Sequence, residues 1–275
     1  MLVNPLKAAP VEALDLEALN RALARTIFER KFQYLSETGS TNTLAMEAAG
    51  RGAPEGTIFI TDQQTRGKGR GGHSWHSEPH SNLLFSFIVR PKIAAADALW
   101  LSLMAGVAVC LAIREHTGHA PDLRWPNDLL LNKKKFCGIL TELSSDGAET
   151  RHAVIGIGVN VNKRSFPDDL VSTATSLRIE GGKQLSRTEL LIALLKSLHA
   201  EYNGLIAELS DKSSSRRWLD KLKAASSYVE GKRVQVSEAE GYEGTTAGLD
   251  ERGFLLIRTE NGIRRVISGG VRELE

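Results

Sequence analysis

The segment DALWLSLMAGVAVCLAIREHTG, residues 97–118, is apolar around almost its whole circumference when wound as a helix. A helix without a polar face has no side to offer water and has to be buried. Asp97 is expected to cap its start and Gly118 to close it. No run approaches the ~18 apolar residues that span a bilayer. The opening MLVNPLKAAPVEALDLEAL also lacks the continuous apolar core of a signal peptide. The expectation is a soluble, cytoplasmic protein with no membrane partner. With 275 residues there is room for one large domain and a small one.

The elements around that helix follow from periodicity. Residues 11–30 place Leu16, Leu19, Leu23 and Ile27 on one face, which predicts a single amphipathic helix. A short helix is expected to begin near Ser40 or Thr41 and stop at Gly50. LRWPND, LLLN, KFCGILTEL and HAVIGIGVNV read as short strands, and LSRTELLIALLKSLHAEYNGLIAEL and SRRWLDKLKAA as helices. From about residue 230, short apolar runs separated by Gly, Asn and Asp turns suggest a small five-stranded barrel. The expected division is a helical lead over 1–33, a main domain over 34–228 and a β domain over 229–275.

TRGKGRGGHSW, residues 65–75, contains G-x-G-x-x-G at Gly67, Gly69 and Gly72. As a dinucleotide fingerprint this requires a strand before it and a helix opening at its last glycine. TIFITDQQ supplies the strand, but HSWHSEPHS has no helical spacing, and no acidic residue ends the next strand, NLLFSFIVR. The dinucleotide reading fails. What remains is a backbone free of bulky side chains carrying Arg66, Lys68 and Arg70, a general means of holding anions. The net charge of the chain is only +2, so any such site is local rather than a global basic field. His73, His76 and His80 straddle the loop without a fourth ligand nearby, so no resident metal site is expected. Cys110 and Cys137 lie in apolar stretches without a C-x-x-C pair, which fits a reducing compartment. Two later segments add to the anion site. RWPNDLLLNKKKFCGIL sets Lys133 to Lys135 at the mouth of a buried strand, and IGIGVNVN puts glycines where a ligand or another backbone approaches closely.

GSTN, QTRGKGRGGHSW, RWPNDLLLNKKKFCGIL and IGIGVNVN, in this order, resemble the biotin–protein ligases, with the C-terminal GGVREL fitting that family's small barrel. The resemblance covers roughly residues 34–275. It implies an α+β fold: a mixed sheet with packed helices, similar to class II aminoacyl-tRNA synthetases, joined to an SH3-like barrel. It also implies activation of biotin with ATP and Mg²⁺, then transfer to one lysine of a biotin carboxyl carrier protein. By the same resemblance, Lys135 meets the biotin carboxylate. Ser40, Thr41, Asn42 and Gln64 hold the biotin head, and Lys68, Gly69 and Arg70 close over biotin and the acyl-phosphate. Trp75 shields the adenine, or else anchors the loop. Asn160 makes an ATP-side contact, and Arg272 reaches the nucleotide phosphates. Asp128 orients or deprotonates the incoming lysine, or serves as a turn residue.

Lys68 stands where the family commonly has arginine, which keeps the charge and loses the bidentate fork. Cys137 beside Lys135 suggests an alternative within the fold, a lipoate or octanoate ligase or transferase using a thiol. Its apolar strand favours an inert, buried cysteine. A DNA-binding repressor is disfavoured because only 38 residues precede GSTN, too few for a three-helix DNA-binding unit. The sequence does not decide between monomer and homodimer.

Overall fold

The computed structural model describes residues 13–210, 216–238 and 240–274. The chain runs α1 (Leu16–Ala22), β1 (Phe32–Thr38), α2 (Thr41–Gly50), β2 (Ile58–Gln64), β3 (Asn82–Val89) and α3 (Leu99–Thr117). Next come β4 (Asp122–Arg124), β5 (Asp128–Leu131), β6 (Lys134–Asp146), β7 (Glu149–Asn160), α4 (Leu177–Gly181), α5 (Arg187–Ser210) and α6 (Arg216–Ala225). The tail holds β8 (Glu230–Val236), β9 (Tyr242–Leu249), β10 (Leu255–Thr259), β11 (Gly262–Arg265) and β12 (Val271–Glu273).

Seven strands form one sheet in the order β1-β2-β3-β7-β6-β5-β4. Only β1 and β2 are parallel, so the sheet is mixed as expected. α3 and α5 pack together over one face, and α2 covers part of the other. Side chains alternate across a strand, so Ile139, Ile155 and Ile157 join the large core while Val154 and Ile88 meet α2. Beside the start of α2, the same face carries Ser86, Gly156, Gly158 and Gly138, and a hollow remains there.

The apolar helix is where its composition demands. α3 buries thirteen of its nineteen residues. Ala95–Thr117 is in fact long and apolar enough to cross a membrane, contrary to the expectation that no run approaches that length. Most of it is enclosed by the sheet and α5, which makes it a core helix. Gly118 closes it at φ 77°, but Asp97 is not its cap. A 3₁₀ turn over Ala95–Asp97 intervenes and Ala98 takes the cap position. The lead helix is also shorter than expected. Residues 11–12 lie outside the described residues, and α1 ends at Ala22, followed by turns in which Arg25 and Arg30 adopt positive φ. Leu19, Leu23 and Phe28 are nevertheless buried, so turns satisfy the apolar spacing that suggested one helix.

The tail forms an antiparallel sheet, β11-β10-β9-β8-β12, consistent with the SH3-like unit expected. It is fastened to α3 and to the turn after β4: Trp125 Nε1 donates to Gly253 O at 3.0 Å and Trp100 Nε1 to Glu251 O at 3.3 Å.

Candidate active site

The hollow beside α2 has a floor of three glycines. Gly138 and Gly158 face each other across β6 and β7, and Gly156 pairs with Leu140. A Cβ at Gly158 would lie 2.6 Å from the Trp75 indole, and one at Gly156 would lie 1.9 Å from Asn42 Oδ1. These glycines are needed because side chains already occupy the space above them.

One end of the hollow is neutral and fully wired. The Thr41 N–H, at the start of α2, donates to Gln64 Oε1 at 2.8 Å. Thr41 Oγ1 lies 2.7 Å from Ser86 Oγ, and Ser86 Oγ lies 2.6 Å from Asn42 Oδ1. Asn42 Nδ2 donates to Glu142 Oε2 at 2.9 Å and to Leu140 O at 3.2 Å. Ser40, buried at the N-cap of α2, makes no side-chain capping bond and lines the hollow beside the positive end of the helix. Ser86 and Glu142 belong to no motif that the sequence displays.

The glycine loop arches over the hollow. Its neck is tied by Ser77 Oγ, which accepts from Gln64 N at 3.0 Å and donates to Gln64 O at 2.8 Å. Inside it Gly69 N donates to His73 O and Trp75 N to Gly67 O at 2.9 Å. A Cβ at Gly67 would lie 2.6 Å from Trp75 O, so the hairpin closes only on glycine there. No α-helix opens at Gly72; the loop has a single 3₁₀ turn, Arg70–Gly72. The Arg70 guanidinium donates to the Gly269 carbonyl of the tail. Lys68 and Arg66 are exposed.

The other end is charged. Lys135 Nζ is 2.5 Å from Asp128 Oδ1, and Arg124 donates to Asp128 Oδ2 at 2.7 Å. Burial alone would raise the Asp128 pKa, but the charges of Lys135 and then Arg124 outweigh it and hold the carboxyl below its usual range. Lys135 Nζ also lies 5.5 Å from the Trp75 ring centroid, within cation–π range. Lys134 instead reaches outward to the Val171 carbonyl at 2.9 Å, and Lys133 is exposed beside Glu273. The adjacent Asn127 and Asp128 follow the Trp125–Pro126 cis peptide.

Two cavities result. The first lies between Thr41, Asn42 and Ser86 and the glycine floor; the second, of about 600 Å³, opens between the loop, the Trp125–Asp128 turn and the tail residues Ser268–Arg272. They share one wall, made by Gly69, Arg70, Trp75, Asn127 and Lys135. A neutral, hydrogen-bonding chamber and a cationic chamber thus meet at a lysine.

Residues 34–160 match the Biotin/lipoate A/B protein ligase family, and residues 231–271 the Biotin protein ligase C terminal domain. The chain is 34% identical over 240 residues to the Bifunctional ligase/repressor BirA of Bacillus subtilis, covering 86% of this chain and 72% of that protein. It is 31% identical over 238 residues to the Biotin--[acetyl-CoA-carboxylase] ligase of Paracoccus denitrificans, covering 85% and 96%. The chain belongs to the biotin protein ligases. A structure of the biotin protein ligase from Aquifex aeolicus in complex with biotin and ATP superposes with a TM-score of 0.74 at 31% identity, covering 89% of this chain and all of that one.

In this ligase most of the residues singled out by sequence converge. Ser40, Thr41, Asn42, Gln64 and Lys68 line the first cavity. Asp128 and Arg272 line the second, and Gly69, Arg70, Trp75 and Lys135 line both. Asn160 does not converge. It is buried at the end of β7, lines neither cavity, and spends its amide on the Thr175 carbonyl at 3.1 Å. The segment it holds runs beside Lys135, whose N–H donates to Thr173 O at 2.8 Å. The histidines of the loop have separate partners: His80 faces Asp62 at 3.0 Å and His76 faces Lys163 at 3.3 Å. Cys137 is fully enclosed and burial pushes its thiol well above the ordinary value, which removes it as a nucleophile. Arg124 was missed because nothing in the local sequence marks the residue before Trp125 as a partner of Asp128.

Proposed function

We propose that the wall shared by the two cavities is where biotin and ATP are joined, with biotin in the neutral chamber and the nucleotide in the cationic one. The enzyme activates biotin with ATP to biotinyl-5′-AMP and passes biotin to a lysine of a carrier protein. In the first step a biotin carboxylate oxygen attacks the α-phosphorus, the bond to the bridging oxygen breaks, and pyrophosphate leaves. Two anions repel on approach, so positioning and charge neutralisation carry most of the catalysis. The common placement of Lys135 and Arg70 on that wall is the observation that carries this reading.

Lys135 neutralises the carboxylate and the forming anhydride. Arg70 and Lys68 cover the phosphate side, and Arg272 joins them from the tail. Trp75, lying on Gly138 and Gly158, separates the chambers and keeps water from the anhydride. Ser40 and the start of α2 face the ureido oxygen. Asp128, held ionised by two cations, is a weak base, so its role is to orient Lys135 and attract the incoming ammonium. In the second step the acceptor amine attacks the acyl carbon, AMP departs, and the amine loses its proton to solvent.

No group of three His, Cys, Asp or Glu side chains suited to a metal occurs among the described residues. Mg²⁺ belongs instead with the nucleotide substrate, carried on its phosphates. The finer reading is a biotin carboxyl carrier domain as acceptor, a cytoplasmic setting, and a division into catalytic and C-terminal units near residue 229. Incubation with ATP, biotin and a biotin carboxyl carrier domain should release pyrophosphate and label the carrier lysine. Absence of both, or equal activity with lipoate, would overturn the reading.

A further inference from the structure

Gln64, the last residue of β2, stands where its strand has lost one neighbour. Just past it, the Thr65 N–H still donates to Thr38 O of β1 at 2.9 Å. The N–H and C=O groups of successive strand residues turn to opposite edges, so those of Gln64 point to the side of β3. Yet β3 pairs with β2 only as far as Thr61 and Leu84. One side chain from the exit leg of the glycine loop fills the gap. Ser77 Oγ accepts from Gln64 N at 3.0 Å and donates to Gln64 O at 2.8 Å, the two bonds that a strand would have made. A hydroxyl can do both at once. The Gln64 side chain, meanwhile, lines the first cavity. Its Oε1 receives the Thr41 N–H at 2.8 Å and the Thr41 hydroxyl at 3.1 Å. Its Nε2 lies under the loop hairpin, 3.2 Å from where a Cβ on Gly67 would stand.

We infer that Ser77 is a positioning residue for the reaction, whose hydroxyl holds the glycine loop and the Gln64 amide in one register. Ser77 lines neither cavity, so it acts through Gln64 on one side and through Trp75 on the other. Trp75 is two residues away, lies against Gly158, and donates its N–H to Gly67 O at 2.9 Å. One hydroxyl therefore ties the wall of the head chamber to the cover that keeps water from the anhydride. Without it the partly buried Gln64 N–H and C=O lose their partners, a cost that the end of β2 relieves by shifting towards water. That shift draws Oε1 off the Thr41 N–H and loosens the loop above it. The exit leg keeps other anchors, His76 facing Lys163 at 3.3 Å and His80 facing Asp62 at 3.0 Å. Removing the hydroxyl should therefore leave the fold intact.

This rests on the reading of the first cavity as the biotin-head site, and the test separates the two. Biotin KM, ATP KM and kcat are measured for pyrophosphate release with the parent, Ser77→Ala, Ser77→Thr and Ser81→Ala. The rate at which bound biotinyl-5′-AMP escapes is followed alongside. Ser77→Ala should raise biotin KM about 5- to 50-fold and speed escape by a similar factor, the scale for unpaired backbone groups, with ATP KM unchanged. Threonine keeps the hydroxyl, so Ser77→Thr should stay within about threefold of the parent on both. The Ser81 hydroxyl reaches Pro79 O at 3.4 Å within the loop, so Ser81→Ala should match the parent. A contact that served stability alone would lower the active fraction, and with it kcat, while leaving KM and escape unmoved. That result, equal losses in the Ala and Thr variants of Ser77, an equal loss in Ser81→Ala, or a rise confined to ATP KM would overturn the inference. A parent enzyme without biotin-dependent pyrophosphate release would instead overturn the functional reading beneath it.

Discussion

On the proposed assignment, the two chambers of the site handle their ligands by different physics. The head chamber is built on β3, β6, β7 and the start of α2. Its Thr41, Asn42 and Ser86 are almost fully buried, and each side chain is already spoken for. The second chamber is built on loops and strand ends, with Arg272 exposed and Lys135 a third exposed. Recognition of a neutral ring depends on directional hydrogen bonds, which are costly to leave unmade and have to be preorganised. Neutralising phosphate depends on charge, which acts over longer distances and tolerates looser placement. Substitutions in the first chamber should therefore act on biotin KM, and those in the second on rate and nucleotide.

The largest departure is expected where the chambers meet. Lys135→Ala should slow adenylate formation by at least ~100-fold, the scale for removing one preorganised electrostatic group, while Lys134→Ala stays near the parent. Pyrophosphate release under single-turnover conditions checks this, and equal losses would mean that the wrong lysine has been assigned. Next is Gly156→Ala, whose methyl would collide with Asn42 Oδ1. Overpacking of this kind corresponds to about a 10- to 50-fold effect, and it should appear in biotin KM with ATP KM left alone. An effect on both KM values would erase the division between chambers.

Arg124→Gln tests the charged side more gently. Because the folded Asp128 pKa is lowered, the paired state is complete above the ordinary carboxylate range and lost as pH falls through the lower folded value. Removing Arg124 leaves burial less opposed, so the folded pKa rises and the acid-side loss of transfer rate should begin at higher pH. A pH–rate profile with an unmoved acid limb would show that Arg124 does not govern Asp128. The smallest effect is expected for Arg272→Ala: about a two- to threefold rise in ATP KM, shrinking as salt is added, as for other exposed charges. A biotin KM that moved instead would place the tail against the wrong chamber.

What could be read from the sequence divides along the same line. The loop glycines, Trp-Pro-Asn-Asp and Lys135 are contiguous in the chain and carry their chemistry in their spacing. Thr41 and Asn42 were legible for the same reason. Ser86 and Glu142 were not, because they enter through register: Ser86 opposite Gly156, and Glu142 one pleat beyond Leu140. Asn160 ends a glycine-rich strand, and only the fold shows that its amide turns to Thr175. Among the elements, α3 and α5 were plain from their apolar pattern. β1 was not anticipated, since it is an edge strand whose residues are mostly exposed. The lead helix was overextended because its apolar spacing continues through turns at Arg25 and Arg30.

The two tryptophans that fasten the tail have a practical meaning for anyone recombining such enzymes. Trp125 holds the turn at Gly253 and also begins the corner that presents Asn127 and Asp128. Trp100 grips the same turn from the first turn of the core helix. The C-terminal sheet is thus not a cassette to be exchanged at residue 229, small as it is. A graft from another ligase would have to bring matching partners for both indoles, or the seam would open at the corner that lines the second cavity.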